Sequence, residues 1–343
     1  MMMSGEISLK MVHLQLTRHC NLRCHFCGQW GKNGFFAQDR DADLSVAEWT
    51  GVIESLLRYR DSTGISPDIM LWGGEPLVSP AFPQLVSLLQ KHHFTLGLVT
   101  NGVLLDRYAD IIKDGFKTVY ISIDGPAETH NRIRGTGIFE QVSANIKRIR
   151  NGQAGIVFMT VISPDNLDIA PEIPRLLTPL APDKILLQQM IFLSTPEIAA
   201  YADWLKKTFN QDAREIYAWE TAHGERYLQR LRQQVEQINR NIRAGVYLVP
   251  VELVTHGPGS PETYCISPFH HLHVGYNGNV LYCTDFYDFK AGNVLRHDLI
   301  DIFHNELSKR FRLEIASGNC PSCNHCAWRG NQNYRLDECI FNQ

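Results

Sequence analysis

CNLRCHFC, at residues 20–27, places three cysteines within eight positions, with the spacing CxxxCxxC. The stretch follows an apolar segment at 11–16 that the pattern predicts to be a buried strand. A loop with this spacing can bind three irons of a [4Fe–4S] cube through Cys20, Cys24 and Cys27. The fourth iron is then open for another ligand, as expected of a reactive cluster rather than of a closed electron-transfer cluster.

Apolar strands and amphipathic helices alternate through the first 190 residues. The pattern predicts strands at 11–17, 67–72, 95–100, 117–123, 155–162 and 183–190, and helices at 45–60, 80–93, 104–113, 137–150 and 166–179. This alternation predicts parallel strands joined by right-handed crossovers. Because functional residues of parallel α/β folds collect at the carboxyl ends of the strands, motifs that follow strands are candidate site residues.

A glycine-rich turn, Gly73-Gly74-Glu75, follows the predicted strand 67–72. Two glycines would let the backbone approach a ligand closely. The carboxylate of Glu75 can accept hydrogen bonds from a ligand ammonium group. The alternative is an ordinary turn with no ligand.

Polar residues also follow the third and fourth predicted strands. Asn101 lies in a Thr-Asn-Gly turn, and Ser122 and Asp124 alternate with apolar neighbours, so both are expected to face inward. The helix entrance that follows carries Arg134, which completes the pattern SIDGPxxxHxxxRG over residues 122–135.

These motifs, with Phe26 just before the last cysteine of the loop, resemble the radical S-adenosylmethionine (radical SAM) superfamily. The resemblance implies a partial (β/α)6 TIM-like barrel over residues 1–190. It also implies that Glu75 binds the methionine amino group of SAM, and that Ser122 and Arg134 contact its carboxylate or ribose. Val161, near the end of the fifth strand, is expected on the adenine side.

Each of these residues has an alternative interpretation. Arg134 could form a surface ion pair and Ser122 a helix cap. Asp124 could shape the turn before Gly-Pro. Val161 could belong to a plain core strand.

The remaining six of nine cysteines lie at 265–339. Cys265 and Cys283 flank a predicted β-hairpin at 269–284 with a Tyr-Asn-Gly-Asn turn, and a helix is predicted at about 297–314. The last four cysteines follow that helix: Cys320, Cys323, Cys326 and Cys339.

This C-terminal pattern is similar to the SPASM/twitch extension of radical SAM enzymes, which binds auxiliary iron–sulfur clusters, and it predicts a small domain at 263–343. Two fully ligated [4Fe–4S] clusters would need eight thiolates, so one auxiliary cluster is expected. Cys265 and Cys283 would hold it with two of Cys320, Cys323 and Cys326, and Cys339 would be a ligand or spare. A zinc knot is the alternative.

Between the two parts, residues 191–262 are predicted to form a helical bridge and linker. Leu228, Leu231, Val235 and Ile238 recur at helical spacing, which predicts one stripe packed on the barrel. A lid or substrate-docking element is the alternative. Pro250 and the Gly-Pro-rich stretch 257–261 predict a loop.

Composition argues against several other classes of protein. The 343 residues are 44% hydrophobic and 20% charged, with a net charge of −3, which gives no sign of a nucleic-acid surface. No apolar run reaches the length of a membrane span, and the N-terminus lacks a signal-peptide pattern. Cysteines in two tight groups favour metal sites over a secreted disulfide framework, so we expect a cytoplasmic protein.

The resemblance implies the core chemistry. A donor such as flavodoxin or ferredoxin would reduce the first [4Fe–4S] cluster, SAM would yield a 5′-deoxyadenosyl radical, and that radical would take a hydrogen atom from the substrate. The auxiliary cluster would accept an electron. Asp285, two residues after Cys283, is a candidate catalytic base, and a hairpin-end Asp bound by backbone amides is the alternative.

The expected substrate is a ribosomally made peptide or a protein side chain, which would be oxidised, crosslinked or epimerised. About ten residues precede the first strand, too few for a leader-binding domain of ~80 residues, so a separate leader-peptide-binding protein is a candidate partner. The same observation favours the alternative of a sugar, aminocyclitol or nucleoside. A third hypothesis is a non-catalytic metal or redox module. The Gly73-Gly74-Glu75 turn argues against it.

Overall fold

Ten strands form one sheet in the computed structural model, which describes residues 7–31, 34–38, 41–222, 224–241, 246–249 and 265–326. The strands are β1 (Met11–Gln15), β2 (Asp68–Trp72), β3 (Leu96–Thr100), β4 (Thr118–Ser122), β5 (Gly155–Ile162), β6 (Lys184–Gln189), β7 (Val246–Val249), β8 (His271–Val274), β9 (Asn279–Leu281) and β10 (Gly292–Asn293). Their order is β10-β9-β8-β1-β2-β3-β4-β5-β6-β7.

Eleven α-helices accompany this sheet in the described part of the chain. They are α1 (Val46–Thr63), α2 (Phe82–Lys91), α3 (Ala109–Gly115), α4 (Ala127–Arg134), α5 (Ile138–Ile149), α6 (Ile173–Leu177), α7 (Thr195–Phe209), α8 (Gly224–Asn241), α9 (Ser267–His270), α10 (Leu299–His304) and α11 (Glu306–Ala316). No helix in the described part of the chain is long and apolar enough to cross a bilayer.

Local sequence explains why α1 forms where it does. Ser45 and Glu48 make a reciprocal capping box at its N-terminus, and Gly64 ends it in the left-handed conformation, at φ 73°. Trp49, Ile53 and Leu56 recur at helical spacing and are buried against the sheet.

The strands β1 to β7 are all parallel, and successive side chains point to opposite faces. The side chains on one face pack against the helices. The other forms a separate inner cluster: Met11, Met70, Tyr120, Val157 and Leu186. Side chains from β1 through β6 line a single cavity, so the sheet curls around it as a partial barrel. The mixed α/β fold that the sequence predicts is confirmed.

Two features differ from the predicted element order. The predicted bridge contains a strand, β7, which pairs in parallel with β6 and adds a seventh strand to the six predicted. The predicted helix 166–179 is broken into short 3-10 and α segments, because Pro171 and Pro174 lack the N–H groups that a continuous helix needs. The stripe on α8 is buried as the spacing predicts, at Leu228, Leu231, Val235 and Ile238.

The C-terminal part continues the barrel sheet. β8 pairs in parallel with β1, in the register Met11 to His271 and His13 to His273, and β9 and β10 follow in antiparallel order. The hairpin that the sequence predicts at 269–284 is therefore present, with Gly278 in the turn at φ 83°. The predicted helix at 297–314 is divided into α10 and α11 because Asn305 caps the second helix through its side chain. Residues 250–264 and 327–343, with Cys339, lie outside the described part.

Candidate functional site

The cysteine loop after β1 is held in place by the glycine turn after β2. The amide of Gly74 donates to the carbonyl of Thr17 at 2.8 Å, and the amide of Glu75 donates to the carbonyl of His19 at 2.8 Å. A Cβ on Gly74 would lie 2.4 Å from the carbonyl oxygens of Arg18 and His19. The sequence predicted that the glycines admit a ligand. In the structure the space beside them is filled by the backbone that leads into Cys20.

Each sulfur of the first cysteine group faces at least one N–H donor. The pairs are Cys20 with the Leu22 amide at 3.4 Å and Asn101 Nδ2 at 3.9 Å, Cys24 with Arg134 Nη1 at 3.7 Å, and Cys27 with the Trp30 amide at 3.3 Å. Burial raises the pKa of the Cys20 thiol to about 12. The free thiol is therefore protonated at neutral pH, and a metal that binds it must displace the proton. Three sulfurs supplied with N–H donors fit a [4Fe–4S] cluster, whose sulfurs accept such hydrogen bonds.

Glu75 is fully buried beside this loop. One carboxylate oxygen accepts hydrogen bonds from Thr100 Oγ1 at 2.8 Å and from the Leu77 amide at 3.1 Å, and the other from the Asn101 amide at 2.7 Å. Burial raises the pKa of Glu75 to about 7, although these bonds oppose the shift. A nearby ligand cation would favour the ionised form.

Arg134 reaches the same site through a buried ion pair. Its Nε lies 2.5 Å from Asp124 Oδ2, and the two side chains are 8% and 0% exposed. Its guanidinium carbon lies 5.9 Å from the centre of the Phe26 ring. The interpretation of Arg134 as a surface ion pair is therefore wrong.

Asp124 is a positioning residue in this arrangement. Its second oxygen accepts the Val161 amide at 3.3 Å, and its own amide donates to His130 Nδ1 at 3.1 Å. Asn166, which the sequence motifs did not single out, donates to the carbonyls of Asp124 and Val161, each at 2.9 Å. Ser122 ends β4 on the same side and is half buried. These contacts bring the ends of β4 and β5 to the cysteine loop.

The second cysteine group lines a cavity of about 330 Å³. Five thiols lie in its wall: Cys265, Cys283, Cys320, Cys323 and Cys326. The inner faces of β1 to β6 form the rest of the wall, so the cavity extends from the barrel interior to these thiols.

The chemistry of this group fits an iron–sulfur cluster. The sulfur of Cys283 accepts the amides of Asp285 at 3.5 Å and Phe286 at 3.4 Å, and burial raises the pKa of its thiol. Within the described ranges, no three His, Cys, Asp or Glu side chains converge as ligands of a single metal ion. Cys320, Cys323 and Cys326 all line the same cavity, so any two of them remain available beside Cys265 and Cys283.

Asp285 also lines the cavity. Thr284 Oγ1 donates to its carboxylate at 3.3 Å, and Trp219 Nε1 donates to its backbone carbonyl at 2.9 Å. The Trp219 ring packs on Gly28, where an added Cβ would lie 2.5 Å from it. Trp219 therefore contacts the residue after Cys27 and the loop after Cys283. No sequence motif indicated this link.

Tyr287 makes a second link between the two cysteine groups. It is 5% exposed, and its hydroxyl accepts Gln29 Nε2 at 3.3 Å. Burial, with Asp285 and Cys283 nearby, raises the pKa of Tyr287 well above its usual value. The hydroxyl is therefore a neutral, buried group between the two loops.

Comparisons with known families match both cysteine-bearing regions. The family model of the radical SAM superfamily matches residues 14–177, and that of the SPASM iron–sulfur cluster-binding domain matches residues 265–327. The first match covers Cys20, Cys24, Cys27 and the strands β2 to β5, and the second covers the five described C-terminal thiols and the strands β8 to β10.

Individual relatives are similar over parts of the chain. A probable GTP 3′,8-cyclase of Methanococcus maripaludis is 29% identical over 144 residues, 41% of this chain and 45% of the relative. The sporulation killing factor maturation protein SkfB of Bacillus subtilis is 30% identical over 158 residues, 45% of this chain and 36% of the relative. The chain thus matches less than half of the length of these curated relatives.

The fold is similar to that of a solved peptide complex. The crystal structure of Streptococcus suis SuiB bound to precursor peptide SuiA superposes with a TM-score of 0.63 at 13% identity, over 93% of this chain and 71% of SuiB.

Proposed function

Because the family models of the radical SAM superfamily and of the SPASM domain match residues 14–177 and 265–327, we propose that the chain oxidises, crosslinks or epimerises a side chain of a ribosomally made peptide or protein. When bound, SAM and the two kinds of cluster supply hydrogen-atom abstraction and an acceptor for one substrate electron. The chain itself supplies binding, orientation and proton transfer.

The cavity inside the barrel is the observation that carries this proposal. Barrel strands form one part of its wall and the C-terminal thiols another, so a substrate inside it would lie beside the proposed auxiliary cluster. Such a position suits a two-electron oxidation, in which the substrate loses a hydrogen atom, then an electron and a proton.

The residues of the first site have distinct proposed roles. Cys20, Cys24 and Cys27 would hold the SAM-binding cluster. Glu75 would accept the methionine ammonium, because its ionised form needs a cation in a buried setting. Arg134, held by Asp124, would bind the carboxylate of SAM.

Further contacts to SAM are proposed for residues around this core. Ser122 would face the carboxylate or ribose and Val161 the adenine, because both lie at the rim ends of their strands. Asn101 would orient the loop, because its Nδ2 donates to Asn21 Oδ1 at 2.8 Å. Phe26 would shield the cluster from water.

Asp285 is the proposed base. Its side chain lines the cavity two residues after Cys283, where a carboxylate oxygen can take the proton that an oxidised substrate releases. Tyr287 and the ring of Trp219 would close the path between the two loops and exclude water.

Peptide substrates are supported by two of the similar proteins. SkfB is named as a maturation protein, and the SuiB structure contains a precursor peptide. We propose a reduced flavodoxin or ferredoxin as the electron donor and a separate leader-peptide-binding protein as a further partner.

A nucleoside, sugar or aminocyclitol is the second candidate substrate. The similarity to a probable GTP 3′,8-cyclase favours it, and the cavity volume of about 330 Å³ falls in the range of small-ligand pockets.

An anaerobic assay tests the proposal. Reconstituted protein with SAM and dithionite should form 5′-deoxyadenosine, and the peptide encoded beside its gene should change in mass. Asp285→Asn should keep 5′-deoxyadenosine formation while product formation falls by ~10²-fold or more. Absence of 5′-deoxyadenosine in the wild type would contradict the radical SAM activity, and turnover of a nucleoside instead of the peptide would establish the second candidate.

A further inference from the structure

Three histidines lie together in the cavity wall where β1 meets β8. His13 is on β1, and His271 and His273 are on β8. The His13 and His273 ring centres are 4.3 Å apart, and the His13 and His271 ring centres are 6.0 Å apart. The three rings share the inward face because the strands are parallel and in register.

Two buried polar atoms beside these rings lack protein partners. His273 is 3% exposed, and its Nδ1 has no hydrogen-bond partner in the described ranges. Trp72 Nε1, whose ring centre lies 6.1 Å from that of His273, also has none there. Buried polar groups are nearly always hydrogen-bonded, and an unmade bond is destabilising. Both residues line the cavity, so a bound group there can satisfy them.

The strand residues in the wall around these atoms include no Asp, Glu, Lys or Arg. Met70, Val99, Met159 and Leu186 supply apolar surface there, and Asp285 and the five thiols lie in the C-terminal part of the wall. Burial lowers the pKa of His273 to about 3, and burial together with His273 lowers that of His13, so both rings are neutral near pH 7. A charged ligand group would lose its hydration here without gaining a counter-charge.

We propose that His273, His13 and Trp72 form a subsite for an uncharged group that both donates and accepts hydrogen bonds, a carboxamide or a hydroxyl, on an otherwise apolar part of the substrate. A neutral imidazole offers one N–H and one bare nitrogen, and the indole offers an N–H. The subsite thus presents donors and an acceptor together, which matches a carboxamide or hydroxyl and disfavours a carboxylate or ammonium. This inference rests on the proposed function, whose substrate occupies the same cavity.

Binding of small probes to the reconstituted protein tests the subsite. The probes are the N-acetyl methylamides of Asn, Thr, Asp and Leu, together with myo-inositol, and binding is measured by saturation-transfer difference NMR under anaerobic conditions. The Asn or Thr probe should bind about tenfold more tightly than the Asp probe. Tight binding of myo-inositol alone would support the subsite and assign it to a free polyol rather than a peptide.

Variants separate the subsite from the rest of the cavity. His273→Phe keeps the ring shape and removes both nitrogens, so the Asn or Thr probe should bind about tenfold more weakly while the Leu probe is unaffected. His273→Gln, which keeps a donor and an acceptor, should stay within about threefold of wild type. His297→Phe makes the same change on an exposed loop and should alter nothing.

Three results would overturn the inference. One is equal binding of the neutral and charged probes to the wild type. Another is unchanged binding of the Asn and Thr probes to His273→Phe. The third is no binding of any probe, with only water on His273 Nδ1 in a high-resolution structure. The 5′-deoxyadenosine assay is read in the same samples. If wild type makes 5′-deoxyadenosine and the probes fail, the subsite is wrong and the radical chemistry stands; if no 5′-deoxyadenosine forms, the proposed function fails separately.

Discussion

The two cysteine groups are built in opposite ways. The first lies on one loop of eight residues, and its sulfurs receive N–H donors from polar neighbours such as Arg134 and Asn101. The second is assembled from three separate stretches around 265, 283 and 320–326, and aromatic and apolar side chains surround it in the cavity wall. The first group is short of a fourth thiolate and rich in groups that can bind a polar ligand. The second has five described thiols, one more than a [4Fe–4S] cluster needs.

This difference indicates how one chain can hold a reactive and a closed metal centre. Where thiolates run out, the structure supplies Glu75 and Arg134, which carry opposite charges beside the loop. Where thiolates suffice, five described thiols line an enclosed cavity, and the Cys283 sulfur accepts the amides of Asp285 and Phe286. Substitutions in either cysteine group or beside it test this difference.

Removing one cysteine group at a time should have the largest effect on iron content and SAM cleavage. Cys20, Cys24 and Cys27 changed together to Ala should abolish 5′-deoxyadenosine formation and leave about four irons per chain, because one cluster needs four irons. Cys265 and Cys283 changed to Ala should lower the iron content while SAM cleavage persists. Iron analysis with quantitative chromatography of 5′-deoxyadenosine checks both. Loss of all iron in the first variant would show that the two groups do not assemble independently.

Breaking the buried ion pair between Asp124 and Arg134, beside the first cysteine group, should have the next largest effect. Asp124→Asn leaves Arg134 buried without its counter-ion, which should lower the free energy of unfolding by roughly 3–5 kcal/mol. Glu236→Gln, which breaks the exposed pair with Arg240 on α8, should cost less than about 1 kcal/mol. Urea unfolding under anaerobic conditions compares them. Equal losses would mean that Asp124 does not stabilise the site through its charge.

A substitution in the glycine turn should affect the first cysteine group and leave the second unchanged. In Gly74→Ala the added Cβ meets two carbonyl oxygens at 2.4 Å, so the loop must shift, and SAM cleavage should slow by ~10²-fold. Iron at the C-terminal thiols should be unchanged. Gly51→Ala on α1 meets nothing within 4 Å and should stabilise the protein by about 0.5–1 kcal/mol. Normal SAM cleavage in Gly74→Ala would show that the turn does not position the loop.

A smaller effect concerns protonation near the second group. The pKa of His273 is lowered to about 3 by burial, and His271 adds to the shift. As the pH falls from about 6.5 towards 3, the unfolded chain binds a proton that the folded protein does not, so this residue lowers stability by ~1.4 kcal/mol per pH unit. In His273→Phe the free energy of unfolding should therefore fall less steeply between pH 6.5 and 5.0. Parallel pH profiles of variant and wild type would contradict this.

Local signals predicted much of this arrangement. The alternation of apolar segments with amphipathic helices located β1 to β6 within two residues of their observed ends, and the spacing of α8 identified its buried stripe. Strand ends also indicated where polar motifs would gather, because parallel strands share one rim. Glu75, Asp124 and Arg134 do lie around the cysteine loop.

The rest depends on contacts between distant segments. The partner of β1 is β8, and no local periodicity encodes that pairing. Asp124 looked like a ligand or a turn residue, whereas its carboxylate holds Arg134. The ring of Trp219 fills the space over Gly28 from the predicted helical bridge, which a residue pattern cannot show. The three histidines become a cluster only through the register of β1 and β8.

The pairing of β1 with β8 has a consequence for how the protein is made. The carbonyl of Ser8 and the ring of His270, which meet beside this pair, are 262 residues apart in sequence. At about 5–20 residues per second, a ribosome needs roughly 13–50 s to deliver the second after the first. During that interval β1 is an unpaired edge that other chains can extend. Chaperone supply and growth temperature should therefore affect the yield of native protein chiefly during one interval of synthesis. That interval begins when β6 is complete and ends when the ribosome reaches residue 271, where β8 begins.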